Sequence, residues 1–292
     1  MEIRLLRYFL AVAREGSISN AAEYLHITQP TLSRQLKDLE EYLGTQLFIR
    51  GNRKISLTDE GMLLRKRAEE ITMLVDKTEK DFLHSNEIIS GDIYIGCGES
   101  DSMRILSRIT KQLQEEFPHV KVHLLSGNAD DITEKLDKGL LDFCILIEPA
   151  DIKKYDFLKL PVKDQWGLLM PKDSPLASND AITPDYLKDL PLLTSRQTMI
   201  SNEFSGWLGS DFEELNIVGT YNLIYNASLM VEEGVGYALC LDKLINTTGS
   251  SNLCFRPLSP KLECSLDIVW KKHQIFSTSA QNFLKRLQRE LS

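Results

Sequence analysis

Regularly spaced apolar residues at the start of the chain predict two short helices. The first covers about 3–14 and ends at Gly16, which tolerates the left-handed backbone of a helix end. The second follows Ser17, whose hydroxyl suits a helix cap. The inward-facing residues are Leu5, Phe9 and Val12 in the first helix and Ala21, Ala22 and Leu25 in the second.

A third helix follows, with one apolar face and one polar face. Thr28 is its expected cap, Pro30 lies in its first turn, and Gly44 ends it. Its buried face carries Leu32, Leu36, Leu39 and Leu43, and its opposite face carries Gln29, Thr31, Ser33, Arg34 and Lys37. Two helices joined by a tight turn, the second with polar and basic side chains exposed, form a helix-turn-helix. Such side chains can bond base edges and phosphates.

A short hairpin is predicted over 46–57, around a Gly51-Asn52 turn. The turn brings Arg50, Arg53 and Lys54 together. Beside a helix-turn-helix, this basic tip suits a wing on the phosphate backbone. The alternative is a hairpin tip that is merely solvated.

A long charged helix is predicted from Thr58 to about position 84, and it would be about 40 Å long. Asp59 and Glu60 favour its N-terminal end. Its apolar residues form a narrow seam with heptad-like spacing: Leu64, Ala68, Ile71, Val75 and Phe82. We expect the seam to pack against another helix, the alternative being that it packs on its own domain.

From Ser90 onward, strands alternate with helices, which is typical of an α/β fold with parallel strands. The first predicted set is strand 92–96, helix 102–117, strand 120–125, helix 130–140 and strand 142–147. The second set is strands 166–170 and 192–195, helix 200–215, strand 217–221, helix 223–233 and strand 237–241, before a closing strand 266–271 and helix 277–291. Two such sets predict a two-lobed domain with a ligand cleft.

Composition narrows the function class. The 292 residues are 42% hydrophobic and 26% charged, as in globular proteins of about two domains. The net charge is −8, but residues 1–60 hold eight basic and eight acidic side chains and sum to zero. Overall acidity argues against coating nucleic acid by bulk charge but permits a small DNA-binding head. No export signal or membrane span is recognisable, so we expect a cytoplasmic protein.

The five cysteines are odd in number and contain no C-x-x-C spacing. We expect buried reduced thiols, with a redox pair of Cys254 and Cys264 as the alternative. No metal-ligand spacing is present among the histidines. We therefore expect neither a metal nor a cofactor.

The N-terminal pattern resembles the DNA-binding domain of the LysR-type transcriptional regulators. The residues that carry the resemblance are Ser17, Ala21-Ala22, Leu25, Thr28-Gln29-Pro30, Leu32-Ser33, Leu36, Leu39-Glu40, Leu43-Gly44, Leu47-Phe48, Arg50, Leu57-Thr58 and Gly61. Thr28 stands where many members have Ser. The resemblance places Gln29, Pro30, Thr31, Ser33 and Arg34 in the recognition helix, and Arg50 and Arg53 in the wing. The full set of candidate DNA-binding residues adds Ser17, Thr28, Lys37 and Lys54.

The remainder resembles the effector-binding domain of the same family, which is similar to periplasmic binding proteins. The matching segments are 91–96, 140–145, 168–171, 175–177, Val231 with 234–236, and 268–271. The resemblance implies a winged helix-turn-helix over 1–58, a linker and dimerisation helix over 59–88, and an effector domain over 91–292. Lobe I would hold 91–161 and 265–292, and lobe II would hold 162–264. It also implies an antiparallel dimer and favours a tetramer, with RNA polymerase as a further candidate partner.

The effector site is expected where strands end and loops converge. The candidate residues are Glu99, Ser100, Ser102, Ser126, Asn128, Thr194, Ser195, Arg196 and Asn222. Hydroxyls and a guanidinium suit a carboxylate, whereas Glu99 and Asp101 repel an anion or hold an amine. An amino acid would satisfy both.

The expected function is therefore a DNA-binding transcriptional regulator controlled by a small-molecule effector between the lobes. A cytosolic α/β enzyme is the first alternative, but Gly96-Cys97-Gly98 is a lone G-x-G without the rest of a dinucleotide fingerprint. A ligand-binding protein whose helix-turn-helix serves only protein contacts is the second.

Overall fold

The computed structural model describes residues 1–51, 55–83, 89–195, 202–209 and 214–291. The chain divides into two compact units, Met1–Leu83 and His84–Ser292.

The first unit is a helical core with a two-stranded wing. Its elements are α1 (Ile3–Glu15), α2 (Ile18–Tyr24), α3 (Gln29–Leu43), β1 (Phe48–Arg50), β2 (Ile55–Leu57) and α4 (Asp59–Leu83). Leu6, Phe9, Leu32, Leu36 and Leu39 are almost completely buried in its core. The predicted helix-turn-helix and hairpin are thus present, and β1 pairs antiparallel with β2.

The caps of the first unit follow the sequence with one exception. Ser17 Oγ accepts a bond from the Asn20 backbone N–H at 3.4 Å, and Thr58 Oγ1 accepts one from Gly61 N–H at 2.9 Å. Thr28 occupies the cap position before α3, as predicted, but its side chain makes no capping hydrogen bond. The Thr28 hydroxyl instead bonds the Thr31 hydroxyl at 2.8 Å, one turn into the helix.

The seam of α4 packs mainly on its own unit. Ala68 is completely buried, and Leu64 and Ile71 are half-buried against the same core as α1. Arg7 on α1 pairs with Asp76 on α4 at 2.6 Å. The assignment of Ala68 to a subunit contact is therefore wrong, and Leu64 and Ile71 also contribute to the intradomain core. Apolar residues at this spacing can pack against α1 of the same chain as well as against a helix of a second subunit.

The second unit is an α/β domain built on one twisted sheet. Its strands are β3 (Gly91–Cys97), β4 (Val120–Ser126), β5 (Phe143–Ile147), β6 (Tyr155–Pro171), β7 (Leu192–Ser195), β8 (Ile217–Tyr221), β9 (Tyr237–Leu241), β10 (Leu253–Pro257) and β11 (Glu263–Lys271). Its helices are α5 (Met103–Glu116), α6 (Ala129–Asp137), α7 (Pro184–Leu187), α8 (Asn202–Leu208), α9 (Ile224–Glu232) and α10 (Thr278–Leu291). Within the described residues the strand order is β4-β3-β5-β11-β6-β9-β7-β8, with β10 beside β6.

One long strand joins the two halves of this sheet. Over its first part β6 pairs with β11, and from Trp166 onward it pairs with β9 and β10. The prediction of a strand over only 166–170 is wrong, because β6 begins at Tyr155 and spans 17 residues. The first half, around β3 and β5, and the second half, around β7 and β9, each contain parallel strands. We call them the first and second lobes.

Further elements differ from the prediction. Strand β10 and the short helix α7 were not predicted. Helix α8 ends at Leu208 and is shorter than 200–215, because the next residue, Gly209, has a φ of 73°. Close packing around β6 depends on Gly167. A Cβ at that position would lie 2.1 Å from the Phe255 ring and 2.5 Å from the Arg256 carbonyl oxygen.

No helix in the described part of the chain is long and apolar enough to cross a membrane.

Candidate functional site

The exposed face of α3 collects most of the predicted DNA-binding residues. Gln29, Pro30, Thr31, Arg34 and Lys37 are exposed, and Ser33 is half-buried. The helix is held from behind by the buried leucines, so these side chains all point away from the core. Lys37 forms an i,i+4 pair with Glu41 at 3.3 Å. Arg34 has no ion-pair or hydrogen-bond partner within the described residues.

Other DNA-binding candidates have different positions. Ser17 is half-buried as the cap of α2, and Thr28 is exposed beside Thr31. Arg50 ends strand β1, and its side chain lies outside what the structure describes. Arg53 and Lys54 also lie outside the described residues.

A cleft lies between the two lobes of the second unit, with about 890 Å³ of empty volume, part of it open to solvent. Its walls come from the carboxyl ends of parallel strands in both lobes, where open α/β sheets bind ligands. Among the sequence candidates, those that line it are Glu99, Asn128, Ser195 and Asn222.

Ser100 and Ser102 do not line the cleft, contrary to the prediction. Both are buried, and both hydroxyls donate to the carboxylate of Asp164 in β6, Ser102 at 3.1 Å. Burial raises the pKa of Asp164, while the two hydroxyls act in the opposite direction. These serines therefore hold the loop after β3 against the strand that joins the lobes.

Thr194 and Ser126 are also absent from the cleft wall. Successive side chains of a strand point to opposite faces, so Ser195 reaches the cleft while Thr194 is completely buried. Ser126 is exposed at the end of β4, and the cleft is lined by Gly127 and Asn128 instead. Arg196 lies outside the described residues.

Most of the cleft wall is apolar and was not predicted from the sequence. The apolar lining includes Ile147, Trp166, Phe204, Ile224, Leu241 and Leu262. The rings of Trp166 and Phe204 meet edge to face with centroids 6.2 Å apart. The signal available in the sequence was the position of these residues at or beside strand ends, which does not separate lining residues from core residues.

The charged groups on the described wall are carboxylates. Glu99 Oε2 accepts a hydrogen bond of 2.5 Å from the Ile224 backbone N–H at the first residue of α9, so the loop of one lobe bonds the helix of the other. Glu148 pairs with Lys159 at 3.0 Å. Behind Glu148, Asp267 is buried, and its pKa is raised to about 6 by that burial and by Glu148.

Neutral polar groups complete the wall. The Tyr221 hydroxyl donates to the Leu239 carbonyl oxygen at 2.5 Å, and burial raises its pKa well above the usual value. Burial raises the pKa of the Cys240 thiol to about 12, so it stays protonated. All five cysteines are buried and none forms a disulfide in the described chain. The described residues contain no group of metal ligands.

Family models match both units. A model of the bacterial regulatory helix-turn-helix proteins of the LysR family matches residues 3–62, and a model of the LysR substrate binding domain matches residues 87–292. The chain belongs to the LysR family. This confirms the resemblance and the predicted fold class, a helix-turn-helix followed by an α/β effector domain.

Full-length LysR regulators align along the whole chain. The Hca operon transcriptional activator HcaR of Escherichia coli (strain K12) is 26% identical over 298 residues, which is 100% of this chain and 99% of HcaR. The regulator AlsR of Bacillus subtilis (strain 168) is 28% identical over 281 residues, covering 96% of this chain and 88% of AlsR. Full-length CbnR, solved in complex with its target DNA, shares the fold with a TM-score of 0.78 at 18% identity, covering 99% of each chain.

The chain is therefore a LysR-type DNA-binding transcriptional regulator with an effector-binding domain. LysR proteins are transcriptional regulators rather than enzymes, so the enzyme alternative is excluded.

Proposed function

We propose that α3 and the wing bind the operator of this regulator, and that Arg34 is its main base-contacting residue. The exposed position of Arg34 on α3, without a partner within the described residues, carries this proposal. Arg bonds guanine in the major groove with two parallel hydrogen bonds. Gln29, Thr31 and Ser33 contact neighbouring bases or phosphates. Further candidates for DNA contacts are Ser17, Thr28, Pro30 and Lys37. Arg50, Arg53 and Lys54 bind phosphates.

The outer face of α4 is the proposed dimer surface. Met62, Leu63, Met73 and Leu74 on this helix are 42–62% exposed. Phe82, 86% exposed, belongs to the predicted seam and lies toward the C-terminal end of α4. Val75 is half-buried. Exposed apolar residues in this number favour contact with a second copy of the helix over contact with water.

We assign 1–58 to the DNA-binding domain, 59–88 to the linker and dimerisation helix, and 91–292 to the effector domain. A tetramer is the favoured assembly.

Binding of a small molecule between the lobes would change their relative geometry and thereby the spacing of the DNA-binding domains in the oligomer. The position of the cleft at the strand ends of both lobes supports this assignment. The regulator acts in the cytoplasm, and RNA polymerase is its candidate partner at the promoter.

A mobility-shift assay tests the DNA-binding proposal. The full-length protein is titrated into its own upstream DNA and into shuffled DNA of the same composition, at two salt concentrations. We expect a clear preference for the upstream DNA, and we expect Arg34→Ala to reduce specific binding more than non-specific binding. Arg108→Ala removes an equal charge from the exposed face of α5 and serves as the control. Equal loss for both DNAs would assign Arg34 to a phosphate instead.

A further inference from the structure

The interlobe cleft already contains a carboxylate at its natural anion site. The N-terminus of a helix binds anions because its free N–H groups and dipole favour negative charge. At α9 the Ile224 N–H is bonded by Glu99, which comes from the loop of the opposite lobe. An effector carboxylate would find this position taken by the protein itself.

The charge of the wall also opposes an anionic ligand. The charged residues among the described lining residues are Glu99 and Glu148, and Glu148 is paired with Lys159. The described lining residues include no basic side chain that could compensate Glu99, whose contact there is the N–H at the start of α9. A carboxylate buried beside it would pay the cost of desolvation without an opposite charge.

The same wall favours a ligand with an ammonium group. A carboxylate has about four acceptor positions, so the single bond from Ile224 leaves room on Glu99 for a charge-assisted bond. Three aromatic residues, Trp166, Phe204 and Tyr221, line the same cleft. Aromatic rings attract cations and bury apolar groups.

The loop that carries Glu99 is anchored to the rest of the domain. Its neighbours in the sequence, Ser100 and Ser102, are buried on Asp164 of the joining strand. Glu99 is thus held in position before a ligand arrives, which reduces the ordering cost of binding.

We propose that this cleft binds an organic ammonium ion whose nitrogen contacts Glu99 and whose apolar part lies against Trp166 and Phe204. The proposal rests on the effector role of the cleft proposed above and specifies the class of its ligand.

The test compares three probes of similar shape and different charge on the full-length protein. They are 2-phenylethylammonium, neutral 2-phenylethanol and anionic 3-phenylpropionate. Trp166 is the tryptophan, of three in the chain, that lines the cleft, so quenching of tryptophan emission reports binding. We expect the ammonium to bind at least about tenfold more tightly than the alcohol, and the carboxylate to bind most weakly.

Variants of Glu99 decide whether the preference comes from this carboxylate. Glu99→Gln should remove the advantage of the ammonium while leaving the affinity for the alcohol within about twofold, and Glu99→Asp should restore part of it. Glu115→Gln removes an exposed carboxylate from α5 and should change nothing. Circular dichroism verifies that each variant is folded.

A carboxylate that binds as tightly as the ammonium, an unchanged preference in Glu99→Gln, or no saturable binding of the ammonium would each overturn the proposal. The same preparations are tested for operator preference. Intact operator preference together with any of these outcomes rejects the ligand class alone, whereas loss of operator preference in the unmodified protein rejects the proposed DNA-binding function.

Discussion

Glu40 on α3 and Leu47 before the wing are joined by a hydrogen bond of 2.8 Å, in which the Leu47 backbone N–H donates to Glu40 Oε1. The Phe48 N–H donates to the same oxygen at 3.3 Å. Both Leu47 and Phe48 are buried, so their N–H groups have little access to water. The carboxylate thereby ties the first strand of the wing to the helix proposed to enter the major groove.

Glu40→Ala should destabilise this junction by about 1–3 kcal/mol, because it leaves buried N–H groups without an acceptor. Hydrogen exchange at Leu47 and Phe48 should accelerate correspondingly, by about tenfold or more. Glu40→Gln retains an acceptor oxygen and should therefore lose less stability than Glu40→Ala. The exposed Glu41→Ala is the matched control; if it accelerated exchange at Leu47 as much as Glu40→Ala, the junction would not depend on the Glu40 carboxylate.

Two substitutions on opposite faces of α4 separate its two packing roles. Met73→Glu lies on the exposed face and should convert the oligomer to smaller species without unfolding the chain. Ala68→Glu places a charge in the completely buried face and should unfold the first unit. Light scattering measures the mass, and circular dichroism measures helix content. If Met73→Glu kept its full mass while remaining folded, the exposed face would not be the dimer surface.

Gly167 is a position where a single methyl group should be costly. Gly167→Ala should lower the free energy of unfolding by about 3 kcal/mol, the upper end of the usual cost of overpacking. The reason is that the new Cβ meets backbone as well as the Phe255 ring. Gly206→Ala is the control, since its Cβ would meet nothing within 4 Å and Ala favours the helix. Urea unfolding of both variants measures the difference. Similar stabilities for the two would contradict the close packing at β6.

The pH dependence of stability should carry a contribution from Asp267. Its pKa is about 6 in the folded chain, against about 4 for an unperturbed Asp. Between these values the folded state binds more protons than the unfolded state, so stability falls as pH rises and the penalty is complete above pH 6. Glu148 raises this pKa further, and Lys159 opposes the rise.

Asp267→Asn removes that titration. The variant should be more stable than the parent by about 1–3 kcal/mol at pH 7.5, with the difference disappearing near pH 4. Urea unfolding from pH 4 to 8 measures both curves. Asp156→Asn changes an exposed carboxyl group on β6 and should give a curve parallel to that of the parent. A constant difference for Asp267→Asn across this range would show that its effect is steric.

Local patterns predicted the elements well because each depends on residues close in the chain. The leucine spacing of α3, the cap at Ser17 and the start of α4 after Thr58 are of this kind. Strand β6 was predicted short because Pro161 and several charged residues interrupt its first part, which weakens the strand signal. The first part of β6 is a strand because it pairs with β11, which lies far away in the chain.

The sequence predicted where the cleft lies but not which residues line it. Glu99 follows β3 and Asn128 follows β4, and strand-end position alone identified both. Ser100 and Ser102 were assigned to the ligand because their acceptor, Asp164, lies 64 and 62 residues away. The α4 seam illustrates the same limit, since its spacing is identical whether α1 or a second subunit covers it.

The continuity of β6 limits how the effector domain can respond. Because its main chain is bonded to β11 on one side of Trp166 and to β9 and β10 on the other, sliding of the lobes past each other would break those ladders. Opening is confined to rotation and bending about the strand itself. We therefore expect an effector bound between the lobes to change the angle between them rather than to shift one lobe along the other.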